Sequence, residues 1–273
     1  MSATEPNESE RRRWNDDAWA AAWPKREPLT TAVTDVLLGQ VRLRQGEKVL
    51  DVGTGGGVAA LAAAEAVGDG AVVGADISAP LIELARRRGE ERGVANASFV
   101  VADVQQQTVP GGPFDAAISQ FGVMFFDEPE TAFANIRKHM AGGGRLGFAC
   151  WGAPDRNPWF PVPALVLAGV LPPPAPPAPG KSPTHPFSLC DAQRTAAILR
   201  ASGWREVSSS SHELVVAVER EAIVDEEALG FFGVPADSLE AASQAIERQL
   251  APLTREDGRI DAPLAFQVFT ASA

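Results

Sequence analysis

The sequence predicts an α/β fold built on a doubly wound, mostly parallel sheet of seven strands. Short apolar runs, typical of strands buried on both faces, alternate with stretches of helical periodicity as far as Trp151. This alternation predicts right-handed strand–helix–strand units, in which the strands lie parallel to one another. The 273 residues, of which 45% are hydrophobic, are enough to build one large domain.

We divide the chain into five parts by composition and pattern. A disordered tail is expected over 1–13, because this stretch is polar and charged. Helices that form an N-terminal lid follow over 14–46, and the alternating core occupies 47–151. An inserted cap is expected over 152–187, and 188–273 is the C-terminal part of the same domain.

Three tryptophans mark the segment before the core. Trp14, Trp19 and Trp23 fall within ten residues, and side chains so large and apolar are costly to leave in water. They indicate a helix packed on the domain, a lid over a ligand, or a contact in a homodimer. An amphipathic helix follows over 28–38. The polar, acidic N-terminus does not resemble a signal peptide, so we expect a cytoplasmic protein without a membrane span.

The predicted core alternates strands and helices in a regular order. Ser78 is a good N-cap for the second helix of the core. Pro80 lies in the first turn of that helix, and Gly93 follows its last turn. The predicted strands are 47–52, 71–76, 98–103, 114–119 and 145–151, and the predicted helices are 58–67, 79–92 and 129–140.

Beyond the core the regular alternation of predicted strands and helices ends. The proline run 172–179 reads by itself as a polyproline II linker, but its place between strand five and the next core helix favours an inserted cap. Ser188 and Asp191 form a capping-box pattern that opens a helix to Ala201. The remaining predicted elements are a strand over 204–218, helices over 225–232 and 237–250, and an antiparallel strand over 264–270, at the edge of the sheet or inserted by a hairpin.

A glycine-rich turn follows the first predicted strand and opens the first core helix. Its glycines permit positive φ and close approach of a ligand, and the free amides of the helix start add positive potential. Asp51, Asp76 and Asp103 each lie at the carboxyl end of a strand, so we expect them to face one crevice. Asp76 lies 19 residues beyond Gly57 (76 − 57), the position at which an acid binds ribose hydroxyls.

The turn is unsuited to a diphosphate. A dinucleotide fingerprint requires a third glycine where this chain has Val58, and the phosphate-loop pattern is absent. Asp51, two residues before Gly53, would repel a pyrophosphate and favours a cationic ligand. The chain has no tyrosine, which excludes the tyrosine-based chemistry of short-chain dehydrogenases.

Charge and cysteine content exclude further classes of protein. A formal net charge of −11 disfavours binding to nucleic acid or to an anionic membrane, since phosphate binding needs clustered lysine and arginine. Cys150 and Cys190 have no metal-binding spacing and do not form a disulfide framework. We therefore expect no metal, no nucleic acid and no membrane as partners.

The glycine turn, the strand-end acids and the run 114–151 resemble class I S-adenosylmethionine-dependent methyltransferases. Within these, the chain resembles the ubiquinone/menaquinone-methyltransferase-like group of small-molecule enzymes, through 119–126 and 142–146 and through Asn157-Pro158-Trp159 followed by Pro186-Phe187. The resemblance covers roughly residues 14–273 and implies a Rossmann-like fold. The sequence lacks the acidic-aromatic signature of amide, adenine and cytosine methylation after its fourth strand.

The resemblance implies S-adenosyl-L-methionine as cofactor and assigns roles to residues of this chain. The glycines would lie along its methionine and ribose, Asp51 near its amine, and Asp76 at the ribose hydroxyls. Ile77 would lie against adenine, and Asp103 with Val104 at the adenine edge. The implied cofactor-binding residues are Asp51, Gly53, Thr54, Gly55, Gly57, Asp76, Ile77, Asp103, Val104, Ser119 and Phe121, the last two bordering sulfonium and acceptor.

The acceptor is expected to be a small, apolar or aromatic molecule, bound by lid and cap. Methyl transfer is an in-line displacement, so positioning is the protein's main task, and a base is needed only if the acceptor must lose a proton. His185 in the inserted cap is the best candidate base, ahead of His139 and His212. The candidate substrate-binding residues are Trp19, Phe125, Trp159 and Phe187.

Two function classes remain open from the sequence. The first is a methyltransferase that methylates an oxygen, nitrogen or carbon atom of the acceptor. The second is a protein that binds S-adenosylmethionine and acts as a non-methylating cyclase or isomerase, or as a binding module. The cofactor motif is common to both, so it does not separate them.

Overall fold

One seven-stranded sheet organises the chain, in a computed structural model that describes residues 7–173, 182, 184–224, 229–230 and 232–273. In space the strands follow the order β3-β2-β1-β4-β5-β7-β6. Strands β1 to β5 pair in parallel, whereas β7 runs antiparallel to both β5 and β6. The strands are β1 (Lys48–Val52), β2 (Ala71–Asp76), β3 (Ala97–Val101), β4 (Phe114–Gln120), β5 (Met140–Trp151), β6 (Arg205–Val218) and β7 (Ile260–Ser272).

The sheet confirms the predicted doubly wound fold. Strand order reverses beside β1, between β2 on one side and β4 on the other, and such a switch point leaves a crevice at the carboxyl ends of the strands. The last strand is inserted between β5 and β6, as a hairpin with β6, rather than added at the edge.

Nine helices of four or more residues, formed by the described residues, surround the sheet. The alanine side chains of α4 are small, so this helix packs close against the strands, with Ala60 and Ala63 fully buried. The Asp16 side chain caps α2, and that of Ser78 caps α5, each accepting a backbone amide of the first turn. The helices are α1 (Glu8–Trp14), α2 (Asp17–Arg26), α3 (Thr31–Val41), α4 (Val58–Val67), α5 (Ala79–Glu91), α6 (Pro129–Lys138), α7 (Pro161–Leu167), α8 (Ala192–Ala201) and α9 (Leu239–Leu250).

The N-terminal stretch departs from the expected disordered tail. Residues 8–14 form α1, with acidic residues in its first turn and arginines in its last, the arrangement that the helix dipole favours. Residues 1–6 lie outside the described residues. The lid thus begins earlier than the predicted boundary at residue 14.

Two junctions of the core also differ from prediction. The fifth strand begins at Met140, and the glycines expected to precede it lie inside it, where the pairing with β4 shifts register. Gly143 has a φ of 79°, which lets the strand absorb this irregularity. The third strand ends at Val101, so Asp103 follows in the loop.

The expected capping box is absent. Asp191 alone caps α8, accepting the amides of Gln193 and Arg194, whereas the Ser188 hydroxyl donates instead to the carbonyl of Met124. The expected helix 225–232 and the proline run 172–179 fall largely on positions outside the described residues. Among the described residues, no helix is long and apolar enough to cross a membrane.

Candidate functional site

A cavity of about 300 Å³ lies at the switch point of the sheet. Its floor is formed by residues that follow β1, β2, β3 and β4, and α1 and α2 cover it. The lining combines the strand-end acids with many aromatic side chains. The aromatic residues of the described lining are Trp14, Trp19, Trp23, Phe121, Phe125, Phe126, Trp151, Trp159, Phe160 and Phe232.

The glycine turn forms the floor beside β1. Gly53 and Gly55 have φ values of 67° and 53°, in the left-handed region that side chains rarely adopt. Gly53 also packs on Gly122 of the β4 loop, where a Cβ would lie 2.8 Å from the Gly122 Cα. Gly57 does not line the cavity: as the N-cap of α4 it packs behind the turn, against Phe99.

Asp51 is the most deeply buried acid of the site, with 1% of its surface exposed. Its Oδ2 accepts a hydrogen bond from the Thr54 hydroxyl at 2.7 Å, whereas Oδ1 has no partner among the described residues. Burial raises the pKa of Asp51 to about 7. An unpartnered buried carboxylate oxygen is costly, so this position favours a ligand that brings a donor or a positive charge.

Asp76 is held by backbone amides on both sides. Its Oδ2 accepts from the Gly55 amide at 2.8 Å and its Oδ1 from the Ser78 amide at 2.9 Å. Burial raises the pKa of this carboxyl as well. Each oxygen keeps a further acceptor site, and both belong to a residue of the cavity lining. The carboxylate is therefore oriented to accept two hydroxyl groups from a ligand.

Asp103 has partners from within the chain. Its Oδ1 accepts from the Asn7 side-chain amide and from the Gln105 backbone amide, both at 3.0 Å. Its Oδ2 accepts from the Gln106 side chain at 2.9 Å. Because Asn7 precedes α1, this carboxylate ties the lid to the core. Val104 and Ile77, which the resemblance places at adenine, also line the cavity.

Ser119 and Phe121 have different roles although they are two residues apart. The Ser119 hydroxyl is fully buried and donates to the Val52 carbonyl at 2.6 Å, so it joins β1 to β4 and does not line the cavity. Phe121 lines the cavity and stacks on Trp151, with ring centroids 3.9 Å apart. Its φ of 60° is rare for a bulky residue, and such strain is typical of functional positions.

Three of the four predicted substrate-binding residues line the cavity: Trp19, Phe125 and Trp159. Phe187 does not; it packs on Phe160, at 4.7 Å between centroids, and so supports the wall from behind. Trp14 contacts Phe125 at 4.9 Å. The N-terminal tryptophans thus cover the cavity of their own chain, as a lid does.

No histidine lines the cavity formed by the described residues, contrary to the expectation for His185. His185 is exposed, and its Nδ1 accepts from the Phe187 amide at 3.0 Å. The Nε2 of His139 accepts from the Val109 amide, and that of His212 pairs with the Ser210 hydroxyl. All three imidazoles therefore hold local structure.

A partly buried ion pair joins the segment that follows α2 to the glycine turn. The Arg88 guanidinium pairs with Glu27, which follows α2, at 2.6 Å between Nη2 and Oε2. The same guanidinium donates to the Gly56 carbonyl at 2.9 Å. Arg88 and Glu27 side chains are only 18% and 13% exposed, so this contact is more than a solvated surface pair.

Several lining residues have no signal in the sequence that would have singled them out. Arg26 and Asn7 belong to the predicted lid and tail, without a motif of their own. In the sequence, Trp151 and Phe160 cannot be distinguished from ordinary strand and cap residues. Only the lid tryptophans and the run 119–126 pointed toward this wall.

Comparison with known proteins finds a matching family and similar methyltransferases. The family model of a methyltransferase domain matches residues 49–144. An aklanonic acid methyltransferase from Streptomyces is 38% identical over 104 residues, 38% of this chain and 47% of that protein, so the match spans about half of its length. Nocamycin O-methyltransferase from Saccharothrix syringae is 30% identical over 198 residues, which cover 69% of this chain and 70% of that protein.

A solved structure extends the similarity to the fold. The YcgJ protein from Bacillus subtilis superposes with a TM-score of 0.59 at 17% identity, covering 88% of this chain and 97% of that one. At such identity the similarity concerns the arrangement of strands and helices alone.

Proposed function

The chain belongs to the class I S-adenosylmethionine-dependent methyltransferases, and on this premise we propose that it methylates a small, aromatic or polycyclic acceptor. The observation that carries the proposal is that one cavity is lined both by strand-end acids and by aromatic side chains. The acids fit a cationic nucleoside, and the aromatic side chains fit an apolar molecule placed beside it.

The lining residues at the ends of the first strands fit the parts of the cofactor. Asp51, with its unpartnered buried oxygen, suits the ammonium or sulfonium charge. Asp76 suits the ribose hydroxyls, because backbone amides fix both of its oxygens. Ile77 and Val104 offer apolar surface for adenine. When bound, S-adenosylmethionine supplies a methyl group on a sulfonium leaving group.

The protein's contribution is to position the acceptor and to exclude water. The strained Phe121 and its stacking partner Trp151 both line the cavity, after β4 and at the end of β5. Rigid rings of this kind hold a flat acceptor at low entropic cost and exclude water, which strengthens the electrostatic interactions that remain. The lid completes this enclosure through the tryptophans of α1 and α2.

The names of the relatives favour methyl transfer over the alternative of a cyclase, an isomerase or a binding module. Two of them are called methyltransferases, one of aklanonic acid and one acting on an oxygen in nocamycin. Because nocamycin O-methyltransferase matches about two thirds of both chains, an oxygen atom of an aromatic or polycyclic molecule is the acceptor atom that we propose here.

The test is acceptor-dependent formation of S-adenosylhomocysteine. The purified protein is incubated with methyl-labelled S-adenosylmethionine and a panel of aromatic acids, phenols and quinols, and products are followed by mass spectrometry. We expect labelled product with at least one acceptor and none without. Cofactor binding without turnover on any acceptor would favour the alternative role, and absence of cofactor binding would overturn both.

A further inference from the structure

The loop that follows β3 lines part of the cavity but has no regular structure of its own. Residues 102–109, here called the β3 loop, include Asp103 and Val104, to which the resemblance assigns the edge of adenine. A loop without helix or ladder needs other partners for its backbone groups, because a buried group left unpaired is costly. Two of these partners are side chains that α6 supplies.

Asn135 of α6 binds two carbonyl groups of the β3 loop at once. Its side-chain nitrogen donates to the carbonyl of Val104 at 2.9 Å and to that of Gln107 at 3.0 Å. An asparagine amide has two N–H donors, so both are in use. Val104, a residue of the cavity lining, is thereby fixed through its backbone.

His139, which follows the last residue of α6, binds the end of the same loop. Its Nε2 accepts from the Val109 backbone amide at 2.8 Å, so Nδ1 carries the hydrogen and donates to the Asn135 carbonyl, also at 2.8 Å. The residue is only 8% exposed, and both ring nitrogens are in use. Residues four positions apart share one face of a helix, so Asn135 and His139 hold the β3 loop from one side of α6.

Gln105 adds a third support between the other two. Its side-chain Nε2 donates to the Asp127 carboxylate at 2.8 Å, and its Oε1 accepts from the Glu128 backbone amide at 3.2 Å. Both of these partners directly precede α6, and Gln105 is only 1% exposed. The β3 loop is therefore bound to α6 and to the start of that helix at four of its residues.

We propose, on the basis of the proposed function, that Asn135 and His139 are positioning residues for the adenine of S-adenosylmethionine. Neither residue lines the cavity formed by the described residues, so each acts through the β3 loop. They fix the loop backbone and so set the places of Asp103 and Val104 before the cofactor arrives. A site formed in advance loses less free energy to ordering when its ligand binds. Removing either support should weaken the part of the binding that comes from adenine.

The experiment divides the reaction product into its parts. S-adenosylhomocysteine contains adenine, ribose and homocysteine, whereas 5′-methylthioadenosine lacks the amino-acid end and S-ribosylhomocysteine lacks the adenine. Their dissociation constants are measured by titration calorimetry, with displacement by S-adenosylhomocysteine for the two smaller ligands. The variants are Asn135→Asp, which keeps the shape but removes both donors, Asn135→Ala, His139→Leu, and His139→Gln, whose amide oxygen still accepts from the Val109 amide.

Asn96 offers a matched control at the opposite end of β3. Its side-chain nitrogen donates to the carbonyls of Ala64, Gly68 and Gly70, so Asn96→Asp removes the same kind of support away from the cavity. Urea unfolding of every variant separates a loss of stability from a loss of binding. Asn96→Asp should unfold more easily than the wild type and bind all three ligands with wild-type affinity.

We expect Asn135→Asp to weaken binding of S-adenosylhomocysteine and of 5′-methylthioadenosine by about tenfold each, which corresponds to about 1.4 kcal/mol, the size of one lost hydrogen bond. S-ribosylhomocysteine should keep its wild-type affinity. Asn135→Ala and His139→Leu should act in the same direction, whereas His139→Gln should keep most of the wild-type affinity. Equal weakening of all three ligands would show a merely structural role and overturn the proposal. Wild-type affinity for 5′-methylthioadenosine in Asn135→Asp and His139→Leu would overturn it as well.

The outcome is separable from that of the proposed function, because every measurement is binding in the absence of an acceptor. A wild type that binds S-adenosylhomocysteine but methylates no acceptor would contradict only the proposed function. A wild type that binds the cofactor and methylates, with variants that bind as it does, would contradict only the role of Asn135 and His139. No binding of S-adenosylhomocysteine by the wild type would overturn both.

Discussion

Binding of S-adenosylmethionine should depend on pH through the ionisation of Asp51. Burial raises the pKa of this carboxyl to about 7, and a cation beside its unpartnered Oδ1 favours the ionised form. The cofactor therefore binds the deprotonated protein more tightly. Its affinity should fall as the pH falls through about 7, and Asp51→Asn, which keeps the shape of the side chain, should remove this dependence.

The magnitude follows from the pKa. A group with a pKa of about 7 is roughly nine-tenths ionised near pH 8 and roughly one-tenth ionised near pH 6, by the ordinary titration relation. If the bound form stays ionised throughout, the dissociation constant rises about tenfold between these conditions, or about 1.4 kcal/mol. Near pH 6, binding should release close to one proton for each cofactor.

In the cofactor-free protein, the raised pKa of Asp51 has the opposite dependence on pH: the stability of the fold decreases as the pH rises. The folded pKa is raised, so the contribution of Asp51 to stability is present below its unfolded value and is lost as the pH rises through about 7. A shift from 3.8 to about 7 corresponds to roughly 4 kcal/mol in the free energy of unfolding. Urea unfolding of the wild type and of Asp51→Asn, measured from about pH 3.8 to about pH 7, gives this difference in the free energy of unfolding.

Titration calorimetry in two buffers of different ionisation enthalpy gives both affinity and proton release. The cofactor's own amine also titrates near neutral pH, so the profile of Asp51→Asn is subtracted from that of the wild type. A wild-type affinity that, after this subtraction, is the same near pH 6 and near pH 8 would refute the reasoning. Proton uptake in place of release would refute it too.

Three further substitutions test other parts of the site. Asp76→Ala should weaken cofactor binding more than tenfold in calorimetry, because two hydrogen bonds to a charged group are lost, at about 1.5–3 kcal/mol each; unchanged affinity would remove its assignment to the ribose. Gly122→Ala should destabilise by about 1–3 kcal/mol in urea unfolding, because its Cβ would lie 2.7 Å from the Val52 carbonyl oxygen; wild-type stability would show that the β1 and β4 loops can separate. Arg88→Gln and Glu27→Gln, alone and together, should show a coupling energy of about 1 kcal/mol in a double-mutant cycle, and limited proteolysis should cut the lid faster in each single variant; additive effects would mean that the ion pair does not fasten the lid.

Much of the fold could be predicted because its signals are local. The pattern gave seven strands, five of them within two residues of their observed bounds, and Ser78 placed the start of α5 through its own cap. The acids at or just beyond the carboxyl ends of β1, β2 and β3 meet at one cavity because parallel strands end on the same edge of a sheet. These features depend on residues a few positions apart, so one sequence is sufficient to reveal them.

The partners of those residues were decided by tertiary structure. Asp103 binds Asn7, 96 positions away, and Ser119 donates to Val52, 67 positions away, instead of facing a ligand. His185 lay in the right segment of the chain but faces away from the cavity.

The sequence by itself thus determined the cofactor corner, because strand, glycine turn and helix are consecutive in the chain. The aromatic wall of the cavity was decided by folding alone. Its wall brings Arg26 and Trp19 of the lid against Phe232 of the C-terminal part, and such contacts depend on how distant helices pack, which no local pattern records.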